Sequence, residues 1–212
     1  ITASWDAPNS IIAGTTLRSA KNLELPLLGK PCWLNQIHGD SVITATHYNK
    51  KPEADASISG DSGYFCVVQT ADCLPVLFCS NDGSAYAAAH AGWRGLAAGI
   101  LENVVKKITI DASELIVWLG PAISQSSFEV GVEVRNYFIN YDPSTEIYFI
   151  SNEGGQWFCD LYALARHKLK IMGISRIFGG NFCTYNDKDL FYSYRRNSDC
   201  GRMISFVGQR AP

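Results

Sequence analysis

Short apolar runs alternate with a few amphipathic stretches along the whole chain. Runs of β-branched, aromatic and aliphatic residues bounded by Gly, Pro, Asn or Asp predict β-strands. Residues 31–46 predict a strand, a tight turn at 38–40 and a second strand. The other predicted strands lie at 10–18, 54–59, 64–70, 73–79, 86–90, 115–119, 147–150, 174–178, 190–194 and 203–207.

Two stretches have a clear helical period. Apolar residues recur every four positions from Leu96 to Ile108 and predict one helix over 93–108. Asp160 is a suitable N-cap for a helix to about Met172, and Gly173 fits its C-terminal end. Weaker helical patterns cover 131–139 and 19–30. In the second stretch, the helical character ends at Pro26. Because helices and strands are interspersed, the sequence predicts an α/β or α+β fold with mixed sheets.

Composition and charge narrow the class of protein. The 212 residues have a net charge of −2 and are 47% hydrophobic, which suits one domain over 1–212 or two closely packed halves. Without a basic surface signature we expect no nucleic-acid partner. The longest clean apolar run, 73–79, is far too short for a membrane span, so we expect no membrane partner. Seven cysteines without a CxxC pair favour reduced thiols and a cytoplasmic location.

Three residues with metal-binding side chains stand at element boundaries. His38 lies in the Gly-bounded turn, Cys73 begins a strand, and His90 ends a strand before Gly92. They are too far apart in sequence for a zinc finger, but three ligands from separate loops are typical of a catalytic zinc with an open fourth position. The same residues are also compatible with ordinary core packing, or with a Cys73 nucleophile and a histidine base.

Basic residues near two turns suggest anion binding. Arg94 follows Gly92 at the start of a predicted helix, and Arg195 and Arg196 follow a predicted strand. The alternatives are surface pairs with local carboxylates such as Asp199, and a bond from Arg94 to a core carbonyl. No GxGxxG or GxxxxGK[ST] motif occurs.

Longer motifs make the chain similar to one bacterial family. NQIHG, TADCLPVLF, AAHAGWRGLAAG, WLGPAI, FEVG, CTY, FYSYRR and GRM occur in the family's order and span nearly the whole chain. That family was first described as laccase-like multicopper polyphenol oxidoreductases. It was later described as purine nucleoside phosphorylases with adenosine deaminase activity.

The resemblance implies a fold, a cofactor and a reaction. It implies a single-domain α/β/β/α layered fold, and a zinc site, with copper as the alternative, held by His38, Cys73 and His90 as catalytic residues. It implies phosphorolysis of adenosine, inosine and methylthioadenosine, and hydrolytic deamination of adenosine. Purine nucleosides and phosphate are thus the expected partners, for a monomer or small homo-oligomer. The candidate substrate-binding residues are Arg18, Gln36, Arg94, Cys183, Arg195 and Arg196.

Two other activities compete with this interpretation. A multicopper polyphenol oxidase needs more ligands than four histidines supply. A cysteine amide hydrolase, in cell-wall precursor editing, would use Cys73 as nucleophile. For a proton-transfer role the sequence offers only Asp72 and Glu129, and Asp72 is also a candidate to orient a ligand histidine.

The chain departs from the family pattern at one place. Judged by that pattern, roughly 30 residues are missing between Arg18 and Ser19, where loops of such length often act as lids. We expect the natural protein to have this segment.

Overall fold

The computed structural model describes residues 1–20 and 29–210. The predicted helix at 19–30 lies mostly outside these ranges. The strands are β1 (Ile11–Thr15), β2 (Lys30–Cys32), β3 (Val42–Thr44), β4 (Ala56–Ser59), β5 (Tyr64–Thr70), β6 (Leu74–Ser80), β7 (Tyr86–Ala91), β8 (Leu115–Leu119), β9 (Glu129–Val130), β10 (Phe149–Ser151), β11 (Trp157–Cys159), β12 (Arg176–Gly179) and β13 (Met203–Gln209). The helices are α1 (Trp93–Ala98), α2 (Ile100–Ile108), α3 (Val132–Tyr141) and α4 (Leu161–Ile171), with short 3-10 turns at Ala112–Glu114, Gln125–Ser127 and Pro143–Tyr148.

The strands form mixed sheets, as predicted. The largest has the order β12-β8-β6-β7-β4-β3, a second has the order β1-β13-β5-β2, and a small one has the order β10-β11-β9. Parallel pairs, such as β12 with β8 and β2 with β5, occur beside antiparallel ones. The result is a single α+β domain in layers.

The central hairpin β6–β7 is buried on both faces because it lies between two apolar layers. Along β6, Val76 and Phe78 pack into the core beneath the helices, whereas Leu77 and Cys79 pack toward the four-stranded sheet. This alternation follows from the two-residue period of a strand. The small residues predicted for β7, such as Ala87 and Ala89, let the helical layer approach this strand closely.

The described residues thus form two layers of β-structure and one layer of helices. A further apolar cluster, which includes Phe65, Val67, Ile204 and Phe206, forms on the other side of the four-stranded sheet. Within residues 1–20 and 29–210 this cluster contains no helical residue. Nor does any helix in those ranges have the length and apolar character needed to cross a bilayer.

The helix predicted over 93–108 is divided in two. Gly99 has a φ of +98°, a left-handed conformation that ends α1 and begins α2. Its N–H donates to the carbonyl of Gly95 at 3.0 Å. The apolar stripe alone does not reveal this break, because Ile100, Val104 and Ile108 continue it after the glycine.

Asp160 and Gly173 bound α4 as predicted. The Asp160 carboxylate accepts from the N–H of Ala163 at 2.9 Å. Gly173 has a φ of +92°, and the next N–H, of Ile174, donates back to the carbonyl of Leu169 at 3.0 Å. These bonds satisfy groups that a helix end otherwise leaves open.

The predicted strand at 190–194 is wrong. The N–H groups of Leu190 and Phe191 donate to the carbonyl of Asp187, which is a turn rather than a ladder. The side chain of Ser193 donates to Asp72 instead of forming part of a sheet. The segment is an irregular loop in which Phe191 is buried whereas Leu190 and Tyr194 are exposed, so its apolar run is only partly buried.

Candidate metal centre and its cavity

His38 is placed by a buried carboxylate. Asp55, which is fully buried, accepts hydrogen bonds from the backbone N–H groups of Ile37, His38 and Gly39 at 3.1, 2.9 and 2.7 Å. These bonds hold the turn in a conformation where His38 has a φ of +61°. A non-glycine residue with positive φ is uncommon, so the carboxylate maintains a strained presentation of this imidazole.

His90 depends on the same carboxylate. Its Nδ1 lies 2.7 Å from Asp55 Oδ1, and its backbone N–H donates to the Asp55 carbonyl at 2.7 Å. An imidazole that donates from Nδ1 to a carboxylate presents Nε2 as a free ligand atom. Asp55 therefore orients the imidazole of His90 directly and holds the backbone turn that presents His38.

The β6–β7 register brings Cys73 to the two imidazoles. Pro75 pairs with His90, and Cys73 immediately precedes the first residue of β6. The ligand atoms of His38, Cys73 and His90 all lie within 4.8 Å of one another. The His38 and His90 rings stand 4.7 Å apart at 75°.

A glycine lets these groups meet. A Cβ added to Gly92 would lie 2.8 Å from the Sγ of Cys73 and 3.7 Å from Cδ2 of His38. Real Cβ atoms essentially never approach so closely. The glycine that precedes α1 therefore serves close approach to the three-residue cluster.

Contacts within the cluster shift the pKa values of Cys73 and His90. Burial alone would raise the pKa of the Cys73 thiol, but the hydrogen bonds to His38 and His90 outweigh burial and lower it to about 6. Burial would lower the pKa of His90, but the bonds to Asp55 and Cys73 raise it to about 9.

The donor set fits a metal ion. Two imidazoles and a thiolate are good zinc ligands, and a three-ligand site leaves a position for substrate or water. Cu(I) also accepts thiolate and imidazole donors. The buried Asp55 supplies the outer hydrogen bond that ligand histidines usually make.

A cavity of about 750 Å³ opens over the cluster. The predicted residues His38, Cys73, His90, Arg94 and Arg195 all line it. Residues that the sequence did not single out join them: Lys51, Gln69, Trp93, Phe128, Tyr194 and Arg202.

Gln36 lines the cavity but has a structural use. Its side-chain amide donates to the Gln69 carbonyl at 2.8 Å and accepts from the Gln69 N–H at 2.8 Å. This pair joins the segment after β2 to the end of β5. The second N–H and the second oxygen lone pair of the amide remain for a contact to substrate.

Three predicted substrate-binding residues do not line the cavity. Arg196 donates to the carbonyls of Thr184, Tyr185 and Phe191, and therefore braces its own loop. Arg18 donates to the Lys188 carbonyl and, with Arg196, lines a separate small pocket. Cys183 is buried against Ser124, whose Oγ donates to its Sγ at 3.0 Å.

The acidic candidates also have other roles. Asp72 lines the cavity but does not orient a ligand histidine; it accepts from Thr184, Ser193 and the backbone of Arg195. It thereby attaches the 193–195 loop to the base of β6. Glu129 is exposed and accepts from Asn152.

The orienting residue, Asp55, was missed by sequence analysis. The available signal was a single acid inside the apolar segment of Ala54 and Ala56, where a charge is costly unless it is paired. Away from this cavity, His167 is also paired with a carboxylate, since its Nε2 lies 2.7 Å from Asp142.

Comparison with known proteins places this site in a family. The family model described as multi-copper polyphenol oxidoreductase laccase matches residues 3–210. The purine nucleoside phosphorylase YfiH of Escherichia coli K12 is 48% identical over 183 residues, which are 85% of this chain and 74% of that protein. The purine nucleoside phosphorylase PA4543 of Pseudomonas aeruginosa is 48% identical over 179 residues, 84% of this chain and 74% of that protein.

The fold of this chain is similar to those of solved structures. The Neisseria meningitidis protein NMB0706 superposes with a TM-score of 0.95 at 37% identity, covering 100% of this chain and 99% of that one. YlmD from Geobacillus stearothermophilus gives 0.88 at 24% identity over 96% and 93% of the two chains. The second similarity shows the shared fold alone.

Proposed function

Because the chain belongs to the multi-copper polyphenol oxidoreductase laccase family, with close relatives named purine nucleoside phosphorylases, we propose that it is a metal-dependent purine nucleoside phosphorylase. The proposed substrates are adenosine, inosine and methylthioadenosine, with hydrolytic deamination of adenosine as a second reaction. The proposed metal is zinc, and the proposed location is the cytoplasm, which suits seven unpaired cysteines.

One observation supports this proposal above the others. The cluster of His38, Cys73 and His90 lies at a cavity that also presents Arg94 and Arg195. A phosphorolytic enzyme must bring an anionic nucleophile to an uncharged nucleoside, and guanidinium groups suit a phosphate. The aromatic residues Trp93, Phe128 and Tyr194 line the same cavity and provide surfaces for a purine ring.

Different residues of the chain would bind the metal, orient its ligands and bind the phosphate. His38, Cys73 and His90 would hold the ion, and Asp55 fixes the His90 imidazole and the backbone turn that carries His38. A bound zinc supplies Lewis acidity to whatever occupies the open position. Arg94 and Arg195 would orient the phosphate. Because phosphorolysis occurs at C1′ and deamination at C6, the two reactions require two poses of the nucleoside in one cavity.

A cysteine hydrolase is the second candidate, and the geometry gives it one specific support. The pKa of Cys73 is lowered to about 6 by two adjacent histidines, the arrangement that activates a thiol nucleophile. A covalent Cys73 intermediate with an amide substrate, formed by metal-free protein, would favour this candidate.

The family description raises copper oxidation, which the residues disfavour. A multicopper oxidase combines a mononuclear site with a three-copper cluster, and the chain has four histidines in total. In the parts of the chain that the structure describes, His38, Cys73 and His90 form the one group with ligand spacing.

The test uses metal-analysed protein with adenosine, in buffer with and without phosphate, and mass spectrometry of the products. Adenine and ribose phosphate that form only with phosphate support phosphorolysis, and inosine supports deamination. Cys73→Ala should remove both activities, whereas Cys200→Ala, a loop thiol outside the cavity, should retain them. If the wild type forms neither product, or if Cys73→Ala retains both, the proposal is wrong.

A further inference from the structure

The cavity has more positive charge than one phosphate requires. Lys51, Arg94, Arg195 and Arg202 line it, and Asp72 is the one carboxylate among the described residues of its wall. The two oxygens of Asp72 already accept three hydrogen bonds from neighbouring loops. A phosphate group brings a charge of about −1.5 to −2. One such ion therefore leaves part of the cationic lining without a counter-charge.

The three arginines are held in a common way. Each guanidinium carbon lies over an aromatic ring that also lines the cavity: Arg94 over Trp93 at 4.4 Å, Arg195 over Phe128 at 5.5 Å and Arg202 over Tyr194 at 5.8 Å. Stacking on a ring restrains a guanidinium. Arg202 also donates from Nη1 to the carbonyl of Cys200 at 2.7 Å, and Arg195 donates from Nη2 to the carbonyl of Glu129 at 2.9 Å, which leaves their remaining guanidinium N–H groups for a ligand. The cavity thus alternates flat apolar surfaces with oriented cations.

The cations approach from different sides. Arg94 is two residues after Gly92, where an added Cβ would lie 2.8 Å from the Cys73 sulfur. Arg94 therefore lies on the metal side of the cavity. Arg202 directly precedes β13, which pairs with one edge of β5. Lys51 lies in the segment that bridges to Asn35, beyond the other edge of β5. Counted across the sheet, the Lys51 segment is three positions from β13, or about 14 Å, so Arg202 and Lys51 lie on opposite sides of the end of β5.

This separation points to a ligand with an anionic group of its own. We propose that the cavity takes nucleosides that already carry a phosphate, and that Arg202, stacked on Tyr194, binds that phosphate. The reaction phosphate would then occupy the separate position beside Arg94. The inference rests on the proposed function, since it assigns a substrate class to the same cavity.

The test compares adenosine 5′-monophosphate with adenosine by calorimetric titration of the zinc-loaded protein. Inorganic phosphate is present at saturation, so the position beside Arg94 is filled. We expect the monophosphate to bind at least tenfold more tightly at low salt, because a guanidinium–phosphate pair typically contributes a factor of this order.

Three variants locate the effect. Arg202→Gln should reduce the ratio of the two affinities about tenfold. Lys51→Gln removes the same charge from the opposite flank, and Lys170→Gln removes it from the exposed surface of α4. Lys51→Gln should reduce the ratio less than Arg202→Gln, because Lys51 lies farther from the proposed phosphate position. Lys170→Gln should change it by about twofold or less, because Lys170 is exposed on the surface outside the cavity. Circular dichroism of each variant checks its fold.

Several outcomes overturn the inference. It fails if the monophosphate binds no more tightly than adenosine, if saturating inorganic phosphate abolishes its advantage, or if Lys51→Gln lowers the ratio as much as Arg202→Gln. Phosphorolysis of adenosine is measured on the same preparations. Phosphorolysis without monophosphate preference rejects the inference alone, whereas monophosphate preference without phosphorolysis rejects the proposed reaction and leaves the inference standing.

Discussion

At the scale of residues, the chemistry concentrates on four side chains. Sequence motifs identify His38, Cys73 and His90, because each stands beside a glycine or at a strand end where a scaffold presents side chains. Asp55 has no such mark. Its role depends on the pairing of β4 with β7, which places it behind His90, and that pairing is not visible in the local sequence.

The lowered pKa of Cys73 leads to a pH-dependent reactivity. In metal-free protein the thiolate should form as the pH rises through about 6, well below the ordinary value of 9. The rate of iodoacetamide labelling at Cys73, followed by peptide mass spectrometry, should therefore reach half its plateau near pH 6. Stoichiometric zinc should block the labelling. A midpoint near 9 would contradict the described cluster.

Asp55→Asn tests the orientation of the histidines. An amide cannot accept all four hydrogen bonds that the carboxylate accepts, so the ligand imidazoles lose their restraint. We expect zinc affinity, measured by competition with a chelator, to fall about 10- to 100-fold. Asp61→Asn, at an exposed carboxylate outside the cavity, is the control and should leave affinity unchanged. Unaltered zinc affinity in folded Asp55→Asn would show that the carboxylate has no part in positioning the ligands.

At the scale of elements, buried strands and the capped helix α4 follow from the sequence, whereas a break inside a continuous apolar pattern does not. The β6–β7 hairpin and β8 follow from apolar runs bounded by turn residues, because burial on two faces requires such runs. The break at Gly99 and the irregular segment at 190–194 were mispredicted. In both places backbone bonds to distant or preceding groups override a pattern that resembles a regular element.

Gly92, which precedes α1, lies against the Cys73 side chain. Gly92→Ala places a methyl group 2.8 Å from the Cys73 sulfur, so either the helix start or the thiolate must move. We expect zinc affinity and phosphorolysis to fall about tenfold or more, with the protein still folded. Gly154→Ala adds the same methyl group in an exposed loop, where the nearest atom is 3.5 Å away, and should have no effect. Equal behaviour of the two variants would contradict a tight cluster.

At the scale of the molecule, the layers bring distant segments to one cavity. Lys51, Cys73, Phe128 and Arg202 line the same space although they lie far apart in the sequence. The sequence predicts mixed sheets but not their order, and the order decides which strand ends meet. For this reason the metal ligands could be named in advance, whereas most of the cavity wall could not.

The central claim is that the three-residue cluster acts through a metal. Its most direct test is phosphate-dependent adenine release by protein from which metal has been stripped by a chelator and removed by dialysis. The account predicts that activity falls to the level of Cys73→Ala, and that one equivalent of zinc restores it in wild type but not in that variant. Full activity in metal-free wild type would contradict the account.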